Sequence, residues 1–189
     1  MKVHTTPLEG VLLFEPLVHG DERGFFLETY HRDKYAAAGL AAAFVQDNHS
    51  KSGPHILRGL HAQRCFPQGK LVRAVEGEVF DVAVDIRRDS PTFAQWYGAT
   101  LSDSNFRQLY IPPGFAHGFC VVSPSAQVEY KCTELYRADD EIGIRWDDPD
   151  IAIDWPIEHP VLSAKDRDAP TLAEWLDRLP VYPDAAADP

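Results

Sequence analysis

What the sequence lacks narrows it first. No stretch of its 189 residues approaches the ~20 apolar residues that span a bilayer, so no membrane helix is expected. Basic charge is in deficit: 18 Lys and Arg stand against 29 Asp and Glu, a net charge of −11. Nucleic acid and anionic membrane surfaces call for a basic footprint, so neither is expected as a partner. A small anionic ligand held by a local group of Arg and Lys remains open. Cysteine is scarce as well. Cys65, Cys120 and Cys132 are odd in number and form no CxxC pair, which indicates neither a disulfide framework nor a zinc clasp. They read as buried free thiols in a reducing compartment. Met1-Lys2-Val3-His4-Thr5 has no apolar run after a basic start, so no signal peptide is expected and the chain is placed in the cytoplasm. Helical periodicity is sparse, whereas 15 Pro and 12 Gly supply turns and 44% apolar residues supply a core. That balance points to an all-β sandwich or barrel in one domain, residues 1–180, with a disordered tail at 181–189.

Several segments alternate as strands do. Val11–Leu17 and Phe25–Tyr30 come first, the latter placing Phe26, Glu28 and Tyr30 on one face. Glu28 is then either a partnered carboxylate in a site or an exposed one near the barrel mouth. Asp33 caps a short Ala-rich helix that Gly39 ends. In Phe44–Lys51, the residues Gln46, Asn48 and Ser50 share a face, as a ligand-lining strand or a solvent-facing edge would arrange them. Lys70–Val75 and Val79–Ile86 are expected to form a hairpin across Glu76-Gly77-Glu78, with Asp81 and Asp85 solvated or paired with Arg87 and Arg88. Further strands are expected at Phe93–Leu101, Gln108–Ile111 and Ala126–Leu135. Ser163–Asp168 reads as a loop. Thr171 caps a short C-terminal helix whose stripe Leu172, Trp175, Leu176 and Leu179 is packing.

The chemistry centres on Leu57-Arg58-Gly59-Leu60-His61-Ala62-Gln63, where polar groups interrupt a strand pattern. Simple alternation puts Leu57, Gly59, His61 and Gln63 on one face, with Arg58 on the other unless a bulge at Gly59 re-aims it. Neutral histidine suits proton abstraction near neutral pH. A carbon acid beside a ketone needs a base, a cation at the developing enolate oxygen and a proton source. His61, Lys70 or Arg58, and Tyr130 can fill those parts, with Asp166 orienting His61. Taken alone, Tyr130 also reads as a core tyrosine bonded to a carbonyl. The turn Pro112-Pro113-Gly114-Phe115-Ala116-His117 resembles the second motif of the metal-binding cupin barrels. The matching first motif here is His61-Ala62-Gln63, with an amide in place of its second imidazole, and Lys70 would repel a dication. No metal and no cofactor is therefore expected.

Arg23-Gly-Phe-Phe-Leu-Glu28, Gln46-Asp-Asn-His-Ser50, Leu57-Arg-Gly-Leu-His61-Ala-Gln63 and Gly69-Lys-Leu-Val72 closely resemble the dTDP-4-dehydrorhamnose 3,5-epimerase family. So do Asp81-Val-Ala-Val-Asp-Ile-Arg87, Ile111–Phe119, Tyr130-Lys131, Asp147-Asp-Pro149, Asp154-Trp-Pro156 and Ser163-Ala-Lys-Asp166, in order over about residues 3 to 175. The resemblance implies an all-β, cupin-type jelly-roll barrel with a few short helices, assembled as a homodimer that exchanges its N-terminal strand. It implies a dTDP-4-keto-6-deoxy sugar as substrate, inverted at C3 and C5 on the way to dTDP-L-rhamnose. By that likeness His61 accepts the proton with help from Asp166 and Tyr130 donates one, and the chemistry then lets Lys70 stabilise the enolate. Arg23, Glu28, Gln46, Asp47, Asn48, Arg58, Lys70, His117, Glu141 and Lys165 match substrate-binding positions, and Tyr136 matches an aromatic that stacks on thymine. Ala62 stands where the family usually carries an aromatic, and the loop Arg64-Cys65-Phe66-Pro67 departs from its usual Pro-rich form. A mono-epimerase acting on a related keto-sugar is the alternative. A metal-dependent cupin and a non-catalytic sugar-nucleotide binding barrel are further ones.

Overall fold

Two antiparallel sheets face each other, and the chain passes repeatedly from one to the other. This is a computed structural model, and it describes residues 1–181. The tail expected at 181–189 lies, apart from Val181, outside the described residues. The described residues form thirteen strands: β1 Lys2–Thr5, β2 Leu12–Glu15, β3 Val18–Asp21, β4 Gly24–Leu27, β5 Gln46–Ser52, β6 Leu57–Gln63, β7 Lys70–Glu76, β8 Glu78–Asp85, β9 Trp96–Ser102, β10 Gln108–Ile111, β11 Phe115–Val121, β12 Ala126–Cys132 and β13 Glu141–Gly143. One sheet runs β1-β2-β10-β7-β12-β5 and the other β13-β6-β11-β8-β9, while β3 and β4 form a hairpin of their own. The architecture is the jelly-roll barrel of the cupins. Among the described residues no helix is long and apolar enough to cross a membrane.

Alternation explains the layers. On β8, Val79 and Ala83 face the core between the sheets, where they meet Val72, Leu109, Phe119 and Val128. Val82 and Val84 face outward, under Ile142, Ile144, Ile151 and Leu172 from the C-terminal segment. A strand apolar on both faces is buried on both, so the carboxylates it carries need partners. Asp85 has them in Arg87, Ser90 and Thr92.

Helix α1, Arg32–Ala37, covers the outside of the six-stranded sheet by placing Tyr35 against Phe14 and Leu40. Its N-cap is His31 rather than Asp33, which sits in the first turn where an acidic side chain meets the positive end of the helix. Gly39 ends it as expected: at φ +98° its N–H bonds the Ala36 carbonyl, and Leu40 N–H bonds the Tyr35 carbonyl. Ser163 caps α2, Ala164–Arg167, in the segment read as a loop. Thr171 caps α3, Leu172–Trp175, through a reciprocal bond with Glu174. Leu176 of the expected stripe is exposed, because the chain tightens into a 3₁₀ turn at Leu176–Arg178. Of the three thiols, Cys120 and Cys132 are buried, but Cys65 is exposed on a loop.

Two local expectations fail in ways that shape the site. β7 and β8 do not pair. At Gly77 the chain leaves the six-stranded sheet for the five-stranded one, at φ +71° and so close to the Ser125 carbonyl that a Cβ would lie 2.0 Å from it. β6 does not alternate simply. Against β11 it pairs Leu57 with Cys120, Arg58 with Phe119 and His61 with His117, so three steps on β6 match two on β11. That extra residue at Gly59–Leu60 is a bulge, and it brings Arg58 onto the inner face with His61. Gly59 stands at φ +109° with His117 O 2.6 Å and Gly118 Cα 2.8 Å from where a Cβ would be. Only glycine permits both the conformation and the approach.

Candidate active site

His61 projects from β6 into one end of the space between the sheets. Its Nε2 lies 2.6 Å from Oδ1 of Asp166, which commits that nitrogen and leaves Nδ1 for an occupant of the cavity. Asp166 is held in turn by the cap of α2. Ser163 Oγ accepts from the Asp166 N–H and donates to its Oδ2 over 2.8 Å. Burial pushes the Asp166 carboxyl up, but the bonds from His61 and Ser163 outweigh it and hold the group below the ordinary carboxylate range. A carboxylate behind an imidazole orients the ring and stabilises the cation formed when it takes a proton.

His117 stands directly across the ladder from His61. It is buried, with Nε2 2.9 Å from Oδ2 of the fully buried Asp81. Burial lowers the His117 pKa below its ordinary value against the opposing pull of Asp81. The imidazole is therefore neutral where it meets the Tyr130 ring, centroid to centroid 6.3 Å.

The facing sheet supplies Lys70 from β7, Tyr130 from β12, and Gln46 and Asn48 from β5. Lys70 is buried, and among the described residues its Nζ has no hydrogen-bond partner. Burial lowers its pKa, with Cys132, Asp81 and Glu141 pulling the other way. Burial raises the Tyr130 pKa, so the phenol keeps its proton as an acid must. His61, Lys70 and Tyr130 line one cavity of ≈ 270 Å³, with Gln46, Asn48, Tyr136 and Glu141 along its walls. Glu141, on β13, accepts a bond from the Tyr136 hydroxyl over 2.8 Å and pairs with Lys165, and its Oε1 stands 4.0 Å from His61 Nδ1. Burial raises the Glu141 pKa, but the bonds from Lys165 and Tyr136 prevail and keep it ionised.

A base, a buried cation and a phenol around a sugar-sized cavity can take a proton from carbon beside a carbonyl, hold the enolate and return a proton. Arg58 shares the inner face, but its guanidinium bonds Ser52 Oγ at 3.0 Å and the Lys51 carbonyl at 3.4 Å. Of the two cations the sequence offers, Lys70 is the one at the cavity. The donor set does not suit a metal: an amide, Gln63, stands where a second imidazole would accompany His61, and the Lys70 ammonium occupies the third position. Among the described residues no three His, Cys, Asp or Glu converge on a point.

The family model for dTDP-4-dehydrorhamnose 3,5-epimerase matches residues 5–174. The chain belongs to that family. It is 52% identical over 180 residues to the dTDP-4-dehydrorhamnose 3,5-epimerase of Methanothermobacter thermautotrophicus, covering 94% of this chain and 95% of that one. The crystal structure of dTDP-6-deoxy-D-glucose-3,5-epimerase from Legionella pneumophila, in complex with dTDP-4-keto-L-rhamnose, superposes with a TM-score of 0.94. The two are 48% identical, with 97% of this chain and 99% of that one covered. A dTDP-4-dehydrorhamnose 3-epimerase from Streptomyces niveus is 41% identical, with 96% of this chain and 90% of that one covered.

Within this member of the family, most of the residues singled out from sequence converge, and a few do not. His61, Asp166, Lys70, Tyr130, Gln46, Asn48, Tyr136, Glu141 and Lys165 gather at the cavity or one contact behind it. Asp47 points the other way, since neighbours on a strand face opposite sides, and it pairs with Lys131 at 3.0 Å on the outer face of the sheet. Arg23 pairs with Asp21 on the β3–β4 hairpin, and Glu28 pairs with Lys34 at 2.9 Å. Neither lines the cavity of its own chain. Ala62 packs with Ile142 in the outer apolar layer and also lines the cavity beside His61. Sequence reasoning missed Asp81, expected to be solvated or paired with Arg87 and Arg88 and found behind His117. The signal was the apolar content of both faces of β8. It also passed over Gln63 and Gln68, which line the cavity.

Proposed function

We propose that the chain inverts C3 and C5 of a dTDP-4-keto-6-deoxy-D-glucose, giving the L-rhamnose configuration without a metal or cofactor. The observation that carries this reading is the shared cavity of His61, Lys70 and Tyr130, with Asp166 behind the imidazole. Hydrogens at C3 and C5 flank the C4 ketone, and ionising either one places the negative charge on the ketone oxygen. His61 Nδ1 takes the proton, the C–H electron pair becomes the enolate, and the Lys70 ammonium meets the oxygen where charge develops. The Tyr130 hydroxyl, across the cavity on the other sheet, protonates the opposite face. The new C–H bond is thus inverted. Gln46, Asn48, His117 and Glu141 hold the sugar, Tyr136 stacks on the thymine, and Arg58 and Lys165 serve the diphosphate.

In deuterium oxide, both C3 and C5 of the keto-sugar nucleotide are expected to gain solvent deuterium, read by proton NMR. Exchange at one centre alone would instead make the chain a mono-epimerase, the activity named for its Streptomyces relative.

The working unit in this reading is a homodimer of one-domain subunits in the cytoplasm. β1 lies at the edge of its sheet, paired here with β2 of its own chain, where exchange with a second copy is geometrically simple. The β3–β4 hairpin holds Phe25 and Phe26 61% and 70% exposed beside Arg23, and a second copy gives these side chains something to cover. Light scattering is expected to read twice the 21.2 kDa chain mass, and a monomeric mass would overturn the dimer.

A further inference from the structure

One wall of the cavity is not made by strand pairing. Between the end of β12 and β13, residues Glu134 to Arg137 carry the exposed Leu135 and Tyr136, and their backbone groups are taken up by glutamine side chains. Gln68 Nε2 donates to the Glu134 carbonyl at 2.7 Å, and Gln46 Oε1 accepts from the Tyr136 N–H at 2.9 Å. Gln63 does most. Its Nε2 donates to the Leu135 carbonyl at 3.2 Å and to the Phe66 carbonyl at 2.6 Å, while its Oε1 accepts from the Arg137 N–H at 2.6 Å. Both donor hydrogens and the acceptor are used by backbone on two separate segments. The two segments also touch directly, with the Arg137 guanidinium 3.7 Å over the Phe66 ring.

We propose that Gln63 is a positioning residue for nucleotide recognition: it ties the 64–67 loop to the 134–137 segment and so sets where the Tyr136 ring stands at the cavity. This rests on the reading of Tyr136 as the aromatic that receives the flat base. The physical case is one of alternatives. Gln63 is buried, at 3% exposure, whereas Phe66, Leu135 and Arg137 sit on exposed segments. When the amide is removed, their carbonyls and N–H turn outward to water, and the two segments lose the tie that holds them together. The Tyr136 ring then loses the fixed floor beneath it, while His61, Lys70 and Tyr130, held by strand ladders, stay in place. The binding of the base is separated from the chemistry.

The test uses thymidine diphosphate as the probe, with calorimetry for its affinity and kcat at saturating keto-sugar nucleotide for the chemistry. Gln63→Leu is expected to weaken thymidine diphosphate about tenfold, as the loss of one to two net hydrogen bonds does, and to raise KM alike. Its kcat is expected to stay within about threefold, a split that general loosening of the barrel would not produce. Tyr136→Ala is expected to weaken the diphosphate comparably, and the double variant to be no weaker than the worse single one. Unchanged affinity in Gln63→Leu beside weakened binding in Tyr136→Ala overturns the role of Gln63 and leaves the stacking reading intact. Unchanged affinity in Tyr136→Ala overturns the stacking reading and the role of Gln63 with it. Additive losses, or a kcat that falls in step with affinity, also overturn it. If Gln63→Leu does not fold, Gln68→Leu, which removes the single bond to Glu134, is expected to weaken binding about threefold at unchanged kcat. No weakening there counts against the proposal.

Discussion

Replacing His61 with alanine is expected to lower kcat by about ten-thousand-fold, at the upper end of what one general base contributes. The size follows from the surroundings. Glu141, the other carboxylate within reach of the cavity side of the imidazole, spends one oxygen, Oε2, on both Tyr136 and Lys165, and its lowered pKa makes it a weak base. His117 is neutral but turns its Nε2 to Asp81. Among the described residues no second group is placed to take the proton. Deuterium should then enter neither C3 nor C5, because one imidazole serves both. Affinity for thymidine diphosphate should hold, which distinguishes a lost base from a lost fold. Asp166→Asn keeps the shape and removes the charge behind the ring, so it should fall short of His61→Ala while still costing about a hundredfold or more in kcat. Exchange at either carbon in His61→Ala at the parent rate would remove His61 from the mechanism.

The parts of this site that were legible in the sequence are those where alternation runs undisturbed. β12 is the plain case: Val128, Tyr130 and Cys132 share the inner face, so Tyr130 could be aimed inward from spacing alone. β6 was legible only conditionally. A register shift at Gly59–Leu60 is a property of how two strands meet, and neither sequence states it. Likewise, the tight turn at Gly77 looks the same in a hairpin as in a chain that changes sheets. What decides is the Ser125 carbonyl that fills the space a Cβ would need, and Ser125 is distant in sequence. Asp166 was reached through the chemistry a base needs behind it and through the family resemblance, not through periodicity, since a four-residue helix is too short to show any. Its local signal was Ser163 three residues before it, the spacing of a cap. Arg23 and Glu28 mark the limit of resemblance. Their identity matches, but one chain does not bring them to its own cavity.

Lys70→Met is expected to lower kcat by about a hundred- to a thousand-fold, the loss typical of a donor aimed at developing charge. Methionine keeps the bulk of the aliphatic stem, so the buried site remains filled and folding is largely spared. The ammonium is what goes. Because Lys70 meets no acceptor among the described residues, its donors are free for the enolate oxygen, and because it is buried the interaction is little screened. The pH profile supplies a second, independent readout. Burial lowers the Lys70 pKa, so the ammonium is present at low pH and is lost as pH rises through a value below that of an ordinary lysine. Activity should fall on the alkaline side at that lowered value. Tyr130 does not produce that limb, since burial moves its phenol upward, toward more alkaline pH. In Lys70→Met the limb should vanish and leave a low, flatter profile. Arg58→Met, whose guanidinium is already bound to Ser52 and Lys51, should leave the limb in place and act on KM. If Lys70→Met retained both its rate and its alkaline limb while Arg58→Met lost them, the enolate would have to be held from the Arg58 side of the barrel.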